Sequence, residues 1–230
     1  CAIASLIGHS VAIALNLVEP MHHIGTVPNL DAITAIAVIV LSLLAGLVSR
    51  LFVYSLHKTH HVFAMIENAY VRAIVGAVII IVLTLLVGNQ DYNGVSAHMI
   101  EHSLKGDVPI YAFLLKILFT SVTLSSGYKG GEIIPSLIIG ATLGSAFGTI
   151  FGLPAGLWAE VGMVAVFCGV TNCPITSLLI GFELFNFQAS SFLLIAVAIS
   201  YIVSGYSGLY KAQTIIFSKT NSTRIERNTN

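Results

Sequence analysis

Apolar runs at roughly 2–18, 32–56, 70–88, 109–126, 133–153, 157–183 and 189–206 dominate this chain. Most of them approach the ~20 residues that an α-helix needs to cross a hydrocarbon core. Only 9% of the 230 residues are charged and 56% are hydrophobic, whereas a soluble domain is about 25% charged. So little charge cannot coat a soluble surface. The pattern predicts an all-α, polytopic integral membrane protein with about six to eight membrane helices, some short, broken or re-entrant. The formal net charge is zero and no basic block stands out, which argues against nucleic acid as a partner.

The few charges are unevenly placed. Arg50, Lys58 and Arg72 flank the turn between the second and third runs, and Lys211, Lys219, Arg224 and Arg227 follow the last run. The excess of basic residues puts both regions on the cytoplasmic side. Segments 19–31 and 89–108 carry Glu19, Asp31, Asp91, Glu101 and Asp107 against a single Lys105, which suits the opposite face. Residues 218–230 are polar and read as a disordered cytoplasmic tail, leaving 1–217 as the membrane domain. The chain opens on Cys1, and the stretch Asn16 to Pro20 that closes the first run follows no basic start or cleavage site. The beginning therefore reads as that of a fragment, not as a signal peptide. Three cysteines, two of them (Cys168 and Cys173) in an apolar run, form no disulfide framework and read as small packing residues.

Glycine recurs every four residues in the fifth run, at Gly140, Gly144, Gly148 and Gly152. Such a stripe lines one helix face with backbone alone and predicts a second helix packed at backbone distance.

The stretch from Ser125 to Pro135, SSGYKGGEIIP, joins two apolar runs. Gly127, Gly130 and Gly131 allow positive φ and close approach, and Pro135 suits the first turn of a helix. Backbone N–H groups around Glu132 and Ile133 would then point outward from a helix N-terminus, where unpaired amides and the macrodipole both favour an anion. Inside a membrane, irregular backbone is tolerated only when it lines a cavity or is buried in protein, and broken helices mark ion sites. A plain interhelical turn is the competing reading.

This stretch resembles the third signature, usually GxFxP, of the CLC family of chloride channels and chloride/proton antiporters. The likeness continues through Ser136 to Gly144, through Val170-Thr171-Asn172-Cys173-Pro174-Ile175-Thr176 to Glu183, and ends at Ser207-Gly208-Leu209-Tyr210. It covers nearly the whole chain as the family's second half. The resemblance implies an inverted-repeat helical fold and a homodimer in which each subunit holds its own anion pathway. It further implies that the amides of Glu132 and Ile133 and the hydroxyl of Tyr210 hold the anion, with Gly130, Gly131, Ile134 and Pro135 forming the loop. A serine and a gating glutamate would belong to the other half. A phenol suits an anion because it is a neutral, directional donor.

Ile133 stands where the family usually has phenylalanine, and Glu132 where it usually has an apolar residue. A carboxylate beside an anion repels it unless turned aside or protonated, so Glu132 is expected to face Lys129 or water. The form KGGE, two residues, then Pro is similar to an atypical prokaryotic branch that includes fluoride/proton antiporters. Those tend to carry threonine where this chain has Ile134. Chloride is therefore the expected substrate and fluoride the alternative; a channel and a proton-coupled antiporter both stay open as readings, because the glutamates that decide between them would belong to the other half.

Lys116 and Glu183 are ionisable groups within apolar runs and functional candidates by default. Satisfaction by helix-end backbone or an opposite charge is the stronger expectation for both. His98-Met99-Ile100-Glu101-His102 spells HxxEH, the inverted zinc-peptidase motif. Its third ligand would have to be Glu183, which is expected to be buried. His57, His60 and His61 share a helix-face spacing beside Lys58 and read as solvated interface residues. The sequence reading is thus a multi-pass transporter of a small monovalent anion in a prokaryotic plasma membrane. It has no enzymatic role, cofactor or metal, and a zinc-dependent membrane peptidase is the remote alternative.

Overall fold

The computed structural model describes residues 2–15, 27–185, 187–210, 212–221 and 223–229; Cys1, the stretch 16–20 with Glu19, and Lys211 lie outside them. Among the described residues the order is α1 (Ala2–Ala14), α2 (Ala32–Ala64), α3 (Ala69–Val87), α4 (His98–Lys105), α5 (Ala112–Ser125), α6 (Ile133–Phe151), α7 (Ala155–Thr171), α8 (Pro174–Phe185) and α9 (Ser190–Val203). A hairpin of β1 (Thr214–Phe217) and β2 (Arg224–Asn228) follows. Among the described residues three helices, α2, α3 and α6, are long and apolar enough to cross a membrane, while α5, α7, α8 and α9 are shorter apolar helices. The result is a multi-pass helical membrane protein with broken elements.

Local chemistry explains the boundaries. Asp31 starts α2 with a capping box: its carboxylate accepts the Thr34 N–H at 2.9 Å, and the Thr34 hydroxyl accepts the Asp31 N–H at 2.9 Å, which satisfies two donors at the helix end. Gly88 ends α3 and Gly106 ends α4 in the left-handed region. The run 157–183, read as one segment, is two helices. Asn172 adopts φ 55° and ψ 31° at the end of α7, a conformation asparagine tolerates, and Pro174 opens α8.

α7 forms the centre. Every residue from Gly156 to Thr171 is buried, because α2, α4, α6, α8 and α9 all pack around it. The α6 glycines make the closest approach. A Cβ on Gly140 would run into the Gly162 carbonyl, one on Gly144 into the Trp158 carbonyl, and one on Gly148 would sit 3.2 Å from the Ala155 Cα. Gly152 departs from this stripe: it caps α6 at φ 65°, with open space where a Cβ would be. The predicted four-glycine face is a three-glycine face plus a terminator.

Apolar side chains cover the outside. Along α3 only Gly76 is buried, while Leu85 and Leu86 are exposed, as are Ile175 and Leu179 of α8. A surface of this kind needs lipid or protein against it. Residues 218–229, expected to be disordered, instead contain β2 and pair antiparallel with β1, Ile215 facing Arg227 in the register.

Candidate functional site

The turn between α5 and α6 builds the site. Gly127, at φ 97°, turns the chain out of α5, and the Tyr128 hydroxyl donates to the Ala73 carbonyl at 3.1 Å, fastening the turn to α3. Gly127 alone among its three glycines has positive φ, and a Cβ on Gly131 would meet open space. α6 then begins at Ile133 with Glu132 as its cap residue, and the Glu132 side chain makes no capping bond. The first-turn amides have no intrahelical acceptor, and Pro135 in that turn has no N–H to satisfy.

These residues face a cavity of about 670 Å³. Gly130, Gly131, Glu132, Ile133, Ile134 and Pro135 form one side. Phe119, Thr120, Thr123 and Leu124 of α5, Lys129 of the turn, Tyr92, Gly94 and Val95 of the α3–α4 loop, and Tyr210 form the rest. The two features singled out from opposite ends of the chain's second half, the α6 N-terminus and Tyr210, thus meet at one cavity. The Leu209 N–H donates to the Val170 carbonyl at 3.0 Å, which ties the Tyr210 loop to the end of α7. A second cavity, of about 590 Å³, is lined by His57, His60, Tyr128 and Leu209; Leu124, Lys129, Gly130 and Glu132 border both.

Glu132 was expected to face Lys129 or water. Among the described residues the ion pairs are His98 with Asp91 and Arg224 with Glu226, so no such pair forms. Glu132 is half-buried and lines both cavities.

Lys116 is fully buried. Its ammonium donates to the Gly94 carbonyl at 2.9 Å, the Ser96 hydroxyl at 2.9 Å and the Tyr92 carbonyl at 3.3 Å, so it holds together the loop that lines the cavity. Glu183 is exposed on α8, not buried as expected. Among the described residues the fully buried carboxylate is Glu160, enclosed in α7 with no hydrogen-bond partner for either oxygen. The sequence reading passed over it, although it lies in an apolar run as Lys116 does. Tyr92, Gly94 and Val95 were also missed, because that loop looked like an ordinary acidic connection. HxxEH falls on the eight-residue α4, and among the described residues no group of three His, Cys, Asp or Glu side chains is placed to hold a metal ion.

A family model described as voltage gated chloride channel matches residues 1–205. The chain belongs to this family. It is 33% identical over 226 residues to a chloride/fluoride channel protein of Pseudomonas syringae pv. tomato, an alignment covering 95% of this chain and 50% of that protein. It is 26% identical over 176 residues to the H(+)/Cl(-) exchange transporter ClcA of Klebsiella pneumoniae, covering 70% of this chain and 37% of the relative. The crystal structure of a CLC-type fluoride/proton antiporter superposes with a TM-score of 0.81 at 28% identity, covering 87% of this chain and 51% of that one. The chain spans about half the length of these CLC relatives.

Proposed function

We propose that this chain forms one wall of a transmembrane pathway for a small monovalent anion, with the anion held by the Glu132 and Ile133 amides and the Tyr210 hydroxyl. The observation that carries the reading is the convergence of the α6 N-terminus and Tyr210 on one cavity. Amide donors at a helix start offer a partial positive charge, and a phenol adds a neutral donor. Lys129 and Glu132 at the border cancel in formal charge. Such a site suits one negative charge that must be held weakly enough to leave.

Chloride is the substrate in this reading, with protons as the coupled partner, in a homodimer within a prokaryotic plasma membrane; no catalytic step is involved. Chloride/proton exchange in the ClcA name supports it. Fluoride is the second reading, favoured by the fluoride/proton antiporter fold at TM-score 0.81 and by Glu132 in place of an apolar residue. The deciding experiment is efflux from liposomes holding the full-length transporter, followed with chloride- and fluoride-selective electrodes. Faster chloride efflux supports the first reading and faster fluoride efflux the second. Flux of neither ion overturns both.

A further inference from the structure

The family match ends at residue 205, yet Tyr210 and the hairpin lie beyond it. The contacts of that region form a continuous path. The Thr229 hydroxyl donates to the Tyr210 carbonyl at 2.5 Å, and the Gln213 N–H donates to the same oxygen at 2.9 Å. Thr229 in turn gives its own N–H to the Gln213 carbonyl at 3.0 Å. At the other end of the hairpin the Lys219 ammonium donates to the Asn172 side-chain oxygen, to the Tyr201 carbonyl at 2.8 Å and to the Ser204 hydroxyl at 3.2 Å. It also lies 4.0 Å from the Tyr201 ring centroid. Asn172 passes the connection on, its amide donating to the Ser207 carbonyl at 2.9 Å.

Each contact has a physical reason. The last carbonyls of a helix lack intrahelical donors, and a cation is favoured there. Lys219 places one ammonium at the ends of both α7 and α9. Asn172, already held in the left-handed region by the α7 terminus, has only one side-chain orientation that serves Lys219 and Ser207 together. The loop from Ser207 to Tyr210 is therefore gripped on both sides, by Asn172 at its start and by Thr229 at its end.

We propose that the C-terminal hairpin is a positioning device for the anion site, with Lys219 and Thr229 as the positioning residues that fix Tyr210 against the α6 N-terminus. The proposal rests on the reading of Tyr210 as an anion ligand. Neither residue touches the cavity, so each acts only through the loop.

The test uses the full-length transporter and anion affinity measured by calorimetry, with chloride and fluoride as probes. Lys219→Met and Thr229→Val are each compared in the native and in the Tyr210→Phe background, with Thr229→Ser as the conservative variant. Loss of one hydrogen bond's positioning corresponds to about a tenfold weaker affinity. The expected result is that loss for both Lys219→Met and Thr229→Val, near-native binding for Thr229→Ser, and little further loss when Tyr210 is already phenylalanine. Equal losses in both backgrounds would mean general damage, not positioning, and would overturn the proposal. So would unchanged affinity in both positioning variants while Tyr210→Phe alone weakens binding. If Tyr210→Phe has no effect, the reading of the site fails first and the positioning role falls with it. Should Lys219→Met not fold, the Thr229→Val and Thr229→Ser pair decides on its own.

Discussion

The Lys116 ammonium lies 2.9 Å from the Gly94 carbonyl, joining the middle of α5 to a loop that lines the cavity. Its acceptors are backbone and hydroxyl oxygens, so the charge is solvated by the protein itself. Lys116→Met keeps the stem but leaves the Tyr92 and Gly94 carbonyls without their donor. Hydrogen bonds to a charged group contribute about 1.5–3 kcal/mol, and a stability loss in that range is expected in detergent unfolding. Anion affinity should fall with it as the loop loosens. Native stability with lost transport would instead assign Lys116 a direct contact with the ion.

Gly144 and Gly152 look alike in sequence and differ in role, so they should fail differently. Gly144→Ala drives a Cβ into the Trp158 carbonyl, and relief requires α6 and α7 to move apart. Overpacking of this kind costs about 1–3 kcal/mol or more. Gly152→Ala meets open space but at φ 65°, a strain of about 1–2 kcal/mol confined to the helix end. Thermal melting should show the larger loss at Gly144, and crosslinking between α6 and α7 should change only there.

Tyr210→Phe removes the hydroxyl and keeps the ring. With the full-length protein, anion binding should weaken by about 1.5–3 kcal/mol if the phenol donates to a charged acceptor. Calorimetry giving native affinity would remove Tyr210 from the anion shell.

The start of α2 should respond to acid. Hydrogen bonds from the Thr34 hydroxyl and backbone N–H hold the Asp31 carboxyl below its ordinary value of 3.8. A depressed carboxyl contributes stability that is fully present above that ordinary value and is lost as pH falls through the lower folded one. Hydrogen exchange at the Thr34 amide, corrected for its intrinsic rate, should lose protection only below about pH 3.8. Asp31→Asn, which keeps a capping oxygen, should flatten the dependence.

Much of this architecture was legible in the sequence because apolar length and glycine spacing are local signals. The run 133–153 gave α6 within two residues at its end, and SSGYKGGEIIP marked the turn. Legibility failed where a short polar event decides the outcome. One αL asparagine before Cys173-Pro174 divides 157–183 in two, and nothing in its hydropathy announces that. The hairpin was hidden because Arg224 to Asn228 is polar, and its order comes from partners far away in sequence such as Asn172 and Tyr201. Glu183 was expected in the wrong place and Glu160 was passed over for the same reason: an apolar run says a charge is costly, not which side of the helix it occupies.

The contact between Gly144 and Trp158 joins backbone to backbone, so it has no rotamers to switch. A conformational switch needs elements with two stable packings. The α6–α7 pair cannot supply one and should move as a rigid body carrying the Ile133 amides with it. The position of the Ile133 amides is then set by the packing of α7 as much as by α6 itself.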